Sequence, residues 1–409
     1  MKTKGVGDVI KKAVKLLLVA ALLLPATGCW SRRELNDLAI AAAIGIDKRN
    51  GEFEVSAQVT VPGEVASKKT GGDSSMPVVT FYAKGKTVFE AVRKLTTITP
   101  RKIYFSHIRM LVFGEDLARE GIAETLDVLS RDHELRTDFY IAVVKGASAK
   151  ELLAIFTPME KIPANRLFSS LEISDKTWGQ TAAVHLDEFI DTLVSKGKSP
   201  ALTGIRIIGD PVLGSSKENI ERIDVPVSLK YVGIGVFNKD KLVGWLNVDE
   251  SRGYNYITDE IQNTTEVVPC PQGGRISTEV IRSKTELKGK VVNGSPQAYV
   301  HVRVEQNVAD VGCNLDLTKP KTIVQLEAMT RGVIEDKINK VVHAAQRDYK
   351  VDIFGFGEAI RRDNPRMWKK WEKDWNRHFE DMTVNVKVEV KIRGIGTVSN
   401  SILKEMEER

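Results

Sequence analysis

Cysteine is scarce in this chain, with three residues in 409, at positions 29, 270 and 313. None lies in a Cys-x-x-Cys pair, and the six histidines, at 107, 133, 185, 301, 343 and 378, stand singly without His-x-x-x-His spacing. Structural zinc takes four such ligands, so no metal site is expected. Missing too are a Gly-x-Ser-x-Gly elbow, a Walker loop, a kinase signature set and a calcium loop. The stretches "GVGDVI", "GIGVFN" and "GFGEAI" lack the third glycine of a dinucleotide loop and read as turns and close packing. No catalytic residue and no cofactor is assigned, and the chain is expected not to be an enzyme.

A large excess of one charge is also lacking. The net charge is +6, and without residues 1–28, which carry five Lys and one Asp, it falls to +2. Nucleic-acid binding calls for a strongly basic face, so that class is set aside. Long apolar runs are confined to one place, "LLLVAALLL" at 16–24, preceded by Lys2, Lys4, Lys11, Lys12 and Lys15. Crossing a bilayer takes about 20 apolar residues, and Pro25, Thr27 and Gly28 interrupt this run too early. A positive segment, a short apolar segment and small residues make an export signal over 1–28.

Immediately after that signal stands Cys29. The order Ala26-Thr27-Gly28-Cys29 looks like a bacterial lipobox, where the sulfur is acylated and the chain is cut just before it. Cys29 is therefore the expected lipidation site, and two or three acyl chains hold a protein at a membrane where one does so only marginally. Cys270 and Cys313 remain. Export permits a disulfide, but spacing does not reveal proximity, and two separate, partly buried thiols are the expectation.

The rest is ordinary folding material, 42% hydrophobic and 28% charged. Phe53, Val55, Ala57, Val59 and Val61 alternate with polar residues after an Asn50-Gly51 turn, which predicts a strand. Residues 64–77 read as a mobile loop. Strand and helix patterns then alternate through "VVTFYAKG", "TVFEAVRKLTTI", "SHIRMLVFG", "IAETLDVLSRD", "TDFYIAVVKG" and "SAKELLAIF", the last capped by Ser148. "VHLDEFIDTLVSKGKSPAL" predicts a helix ended by Gly197 and Pro200. "GDPVLGSSKENIERID" predicts a linker or exposed loop over 206–224, between an N-terminal region at 29–205, expected as two α/β lobes, and a C-terminal domain at 225–409. In that domain "VPVSLKYVGIGVF", "KLVGWLNV", "ISTEVIRSKTELKGKVV" and "QAYVHVRVEQNVADV" predict an antiparallel sheet. A helix beginning near Pro320, a second over "NPRMWKKWEKDWNRHF" and an alternating strand, "MTVNVKVEVKIRGIG", close the chain.

In the second of these helices Trp368, Trp371, Trp375 and Phe379 share one face. The three tryptophans are candidates for a partner-docking surface, beside Lys369, Lys370, Lys373 and Arg377. The competing expectation is that they cover the C-terminal sheet.

Several stretches together resemble one family, the Ger(x)C lipoproteins, C subunits of bacterial spore nutrient-germinant receptors. They are "GCWSRRELNDLAIAAAIGID", "RKIYFSHIRMLVFGEDLAREGI", "RDHELRTDFYIAVVKGASAKELL", "DIFGFG" and "NPRMWKKWEKDW". Ser31 and Ala26 differ from the residues commonest there. The resemblance implies an α+β fold in three domains of mixed or antiparallel sheets covered by helices. It also implies a lipid anchor at Cys29 and a place on the outer face of the spore inner membrane. The implied partners are a multi-pass A subunit and a transporter-like B subunit, with small nutrients triggering the complex. Two other classes stand beside it. A solute-binding lipoprotein of an uptake transporter would need a ligand cleft between domains, and an envelope hydrolase would need convergent titratable groups in a pocket.

Overall fold

The computed structural model describes residues 4–23, 38–61, 77–132, 134–270 and 273–396. Helix α1 (Lys4–Leu23) takes up most of the expected export signal. Among the described residues, no helix is long and apolar enough to cross a membrane. Cys29 and nearly all of the predicted 64–77 loop lie outside the described residues.

The fold is α+β, with two sheets. The first begins with β1 (Leu38–Arg49) and β2 (Glu52–Thr60), an antiparallel hairpin across Asn50 and Gly51, both at positive φ as its tight turn demands. β3 (Val78–Gly85) pairs with β2, and α2 (Val88–Leu95), capped by Thr87, follows. Next come β4 (Lys102–Tyr104), β5 (Met110–Gly114), α3 (Glu115–Glu120), α4 (Ala123–Arg131), β6 (Tyr140–Val144) and α5 (Ala149–Leu153). α6 (Pro163–Trp178), α7 (Leu186–Val194), β7 (Ala201–Ile208), β8 (Ser228–Asn238) and β9 (Lys241–Trp245) complete it. The strand order is β3-β2-β1-β5-β6-β7-β8-β9, with β4 paired to β1. β1, β5, β6 and β7 are parallel neighbours, and the outer strands are antiparallel.

Every residue of β5 and β6 is buried, because helices cover both faces. On one face Leu95, Leu126, Leu129, Leu186 and Phe189 pack against Phe113, Ile141 and Val55. On the other, Leu152, Leu153, Leu167 and Leu171 pack against Met110, Val112 and Val144. The end of β1 gives Gly45 and Asp47, in the "GID" of the opening stretch, their roles. Asp47 accepts hydrogen bonds from the amides of Ala149 (2.9 Å) and Lys150 (3.0 Å) at the start of α5, and a Cβ on Gly45 would press on Ala149 and Leu153 at 3.0 Å.

Helix α8 (Val248–Ile257) leads to the second sheet, made of β10 (Thr264–Pro269), β11 (Arg275–Val292), β12 (Ser295–Val311) and β13 (Thr383–Gly394) in that order. Between β12 and β13 lie α9 (Pro320–His343), whose end widens into a π turn at Ala344–Tyr349, and then α10 (Phe356–Asp363), α11 (Pro365–Trp371) and α12 (Trp375–Glu380). This sheet is covered on one face and wet on the other, so burial along β12 alternates from Pro296 to Val308.

Five expectations are corrected. "VPVSLKYVGIGVF" and "KLVGWLNV" are β8 and β9, the antiparallel edge of the first sheet, so the 206–224 stretch begins inside β7 and otherwise connects two strands of one sheet. The two lobes expected within 29–205 form a single continuous sheet. The C-terminal sheet is not purely antiparallel, because the helical crossover returns β13 parallel to β12. The Trp-bearing helix is broken at residues 372–374 into α11 and α12. Cys270 and Cys313 are joined in a disulfide, beside a small core of Val268, Ile276, Leu317 and Leu326. The helices α6 and α8 carry no strong period, and the sequence pattern does not predict them.

Candidate functional site

The two sheets meet where the chain leaves α7, at the strap 195–200. Ser195 Oγ donates to Glu358 Oε1 (2.8 Å), the Glu358 amide donates to the Gly197 carbonyl (3.3 Å), and the Ser199 amide donates to the Asp352 carbonyl (2.6 Å). The facing loop is "DIFGFG". Its Asp352 is buried and accepts from the amides of Phe354 (3.0 Å), Gly355 (2.9 Å) and Gly357 (2.8 Å) and from Trp375 Nε1 (2.9 Å). Burial pushes this carboxyl up, against the downward pull of those donors. Gly355 sits at φ +84°, and a Cβ on Gly357 would lie 2.7 Å from both Gly197 Cα and Trp375 Nε1. Glycine is needed at both places for turn and close approach.

The tryptophan stripe completes this clamp. Trp368, Trp371 and Trp375 are only 3%, 7% and 3% exposed and join Phe354, Phe356 and Phe379 in the core shared by both sheets. The docking expectation for their rings is thereby corrected. The adjoining sheet and the Asp352 loop bury them, while Lys369, Lys370, Lys373 and Arg377 beside them face solvent.

Three concavities surround the strap and share Lys198. The smallest, about 300 Å³, is lined by Asp175, Glu188, Thr192, Lys198, Tyr254 and Glu260 among others. Desolvation holds the Asp175 carboxyl up at about 6 and raises Glu260 as well. A second, about 540 Å³, lies between Lys239 and Asp240 of the β8–β9 turn and Glu372, Asp374 and Arg377. The third, about 760 Å³, is walled by Asp191, Arg361 and Lys369, with Lys196 and Glu372 paired at 3.3 Å. These walls carry charged side chains of both signs among apolar surface, suited to ionic contacts beside apolar ones.

Deeper in the joint, Lys337 of α9 is ion-paired with the fully buried Glu266 of β10, which also accepts from Tyr256 Oη (3.1 Å). Arg252 of α8 lies over the Trp178 ring (4.1 Å) and donates to the Thr265 carbonyl (3.1 Å). At the far end, Tyr349 Oη donates to the Trp245 carbonyl (2.9 Å), tying the π turn to β9. Sequence reading misses this buried network, since its members are far apart in the chain. The clamp leaves a trace only in the spacing of Gly355 and Gly357. Among the described residues, no three His, Cys, Asp or Glu side chains are grouped to hold a metal ion.

Two family models cover most of the chain. One, described as spore germination protein N-terminal domain, matches residues 31–207, and the other, described as spore germination B3/GerAC like, C-terminal, matches 232–396. Spore germination protein KC of Bacillus subtilis (strain 168) is 32% identical over 402 residues, spanning 96% of this chain and 98% of that protein. Spore germination protein B3 of the same organism is 24% identical over 95% of this chain and 100% of its own length. The crystal structure of the GerBC protein superposes with a TM-score of 0.51 at 20% identity, covering 86% of this chain and 96% of that one. The chain belongs to the Ger(x)C family of spore germination proteins.

Proposed function

We propose that this Ger(x)C-family chain is the lipid-anchored, non-catalytic subunit of a spore germinant receptor. It is held at the outer face of the spore inner membrane through acylated Cys29 and assembles there with a multi-pass A subunit and a transporter-like B subunit. Nutrient arrival at the complex triggers germination. The observation that carries this reading is the end-to-end match to proteins named for spore germination. The chain's own chemistry supports a binding role, since the joint between the sheets is a clamp of hydrogen bonds and packed rings with walls that carry charges of both signs. Tethering would hold those walls at high effective concentration beside membrane partners.

The test is affinity capture of the native protein from detergent-solubilised spore membranes, followed by mass spectrometry. Recovery of A-type and B-type membrane subunits supports the reading. Recovery of an ATP-driven permease overturns it in favour of a solute-binding lipoprotein. A Cys29→Ala chain should leave the membrane fraction and lose incorporation of labelled fatty acid.

A further inference from the structure

Near-neutrality of the chain after residue 28 conceals one concentrated patch. Residues 86–105 carry five basic side chains, Lys86, Arg93, Lys94, Arg101 and Lys102, against one acid, Glu90, which pairs with Lys94 at 2.8 Å. Within the same stretch two large apolar side chains stand in solvent, Phe89 at 50% exposure and Ile98 at 51%. Arg93 lies over the Phe89 ring at 4.8 Å, so the cation and the ring share one surface. Between α2 and α4 runs a groove of about 420 Å³ whose floor includes Phe89, Val92, Leu95, Ile103, Phe105 and Val128. Asp132 and Glu134 also line it, Glu134 in an ion pair with Lys102 (2.6 Å).

The position of this patch along the chain points to its occupant. Eight residues separate Cys29 from Leu38, where β1 begins, and the nine steps between them reach at most about 30 Å. Leu38 is the register partner of Lys102, and Ile103 next to it lines the groove. A lipid on Cys29 therefore keeps this end of the fold within about 30 Å of the bilayer.

We infer that the α2 face, from Phe89 through Ile98 to Lys102, docks on an anionic phospholipid surface, its basic side chains on headgroups and its two exposed apolar side chains at the acyl boundary. This rests on the lipid anchor at Cys29 proposed above. Basic side chains near an anionic leaflet each strengthen binding about fivefold, and apolar side chains beside them add the burial term. Docking would fix the orientation of the molecule, which attachment through one lipidated residue leaves free.

The experiment uses the full-length lipidated protein with Ile98→Cys carrying an environment-sensitive fluorophore. Cys270 and Cys313 are paired and Cys29 is acylated, so the new thiol labels alone. A second preparation carries the probe at the fully exposed Ile223, between β7 and β8. Both are reconstituted on vesicles of phosphatidylcholine with phosphatidylglycerol and on phosphatidylcholine alone. The expected result is a blue-shifted probe at 98, quenched by lipid-borne nitroxide on the anionic vesicles only, with the probe at 223 unmoved. Replacing Arg93, Lys94 and Arg101 with Gln should lower the docked-to-undocked ratio about 100-fold. Protein that floats with the vesicles while the probe at 98 stays in water overturns this proposal and leaves the anchor standing. Protein that does not float sinks the anchor, and this proposal with it. Protection of the probe only after membrane subunits are added overturns it in favour of a protein surface.

Discussion

In β6 every residue from Tyr140 to Val144 is buried, whereas in β13, from Thr383 to Gly394, burial alternates and never reaches completion on the outer face. The first strand sits between two helical layers, and the second has helices on one side and water on the other. A sheet covered twice draws its stability from apolar area. A sheet covered once needs other ties, and the C-terminal one has a disulfide, a buried ion pair and a carboxylate clamped by an indole. Substitution of specific polar groups should therefore hurt the second sheet far more than the first.

Trp375→Ala should show this most strongly. It opens a cavity in the shared core and strips Asp352 of a donor, for a loss of about 5 kcal/mol in denaturant unfolding. Hydrogen exchange should rise in β11–β13 before it rises in β5 and β6, and simultaneous exchange in both sheets would break the distinction. Lys337→Met should cost about 3–4 kcal/mol by leaving Glu266 buried and unpaired, and pairing it with Glu266→Met should restore most of that. No restoration in the double variant would mean the pair is not the source. Replacing Cys270 and Cys313 together by Ser releases a loop with a sequence separation of 43 and should cost about 2–3 kcal/mol. The loss should appear as earlier melting of β10 and the ends of β11 and β12.

The smallest effect has the opposite sign. A carboxyl whose folded pKa lies above its unfolded value favours the protonated folded state, so Asp175, at about 6 in the fold, penalises folding above pH 6. That penalty fades as pH falls toward 3.8. Asp175→Asn should therefore stabilise by about 1 kcal/mol at pH 7.5, allowing for the solvent that still reaches the group, and by nothing near pH 4. A gain independent of pH would show that the charge is not what the site resists.

Periodicity makes most elements legible. The Asn50-Gly51 hairpin, the Ser148 cap, the α7 helix and β13 stand where their patterns put them. Which sheet a strand joins is not legible. β8 and β9 alternate like the strands after them, and only the long-range pairing of Ala201 with Val236 assigns them to the first sheet. The Trp spacing correctly groups three rings on one surface, while the break at 372–374 goes unsignalled because no proline or glycine marks it. The clamp at Asp352 is half legible. Gly355 and Gly357 signal close packing, but the strap they receive is over 150 residues away in the chain.

Among the described residues, the C-terminal sheet ends at β13, whose far side has no strand beside it. Copies held by the Cys29 anchor proposed above would share a plane, so open sheet borders would meet far more often than in free solution. Along β13 the wet face alternates through Lys387, Glu389, Lys391 and Arg393, and Glu327, Glu305 and His301 are engaged with them. A second copy extending this sheet would have to lay its backbone beside a row of charges already matched within the molecule. Crowded on a surface, the protein carries its own deterrent to fibre growth.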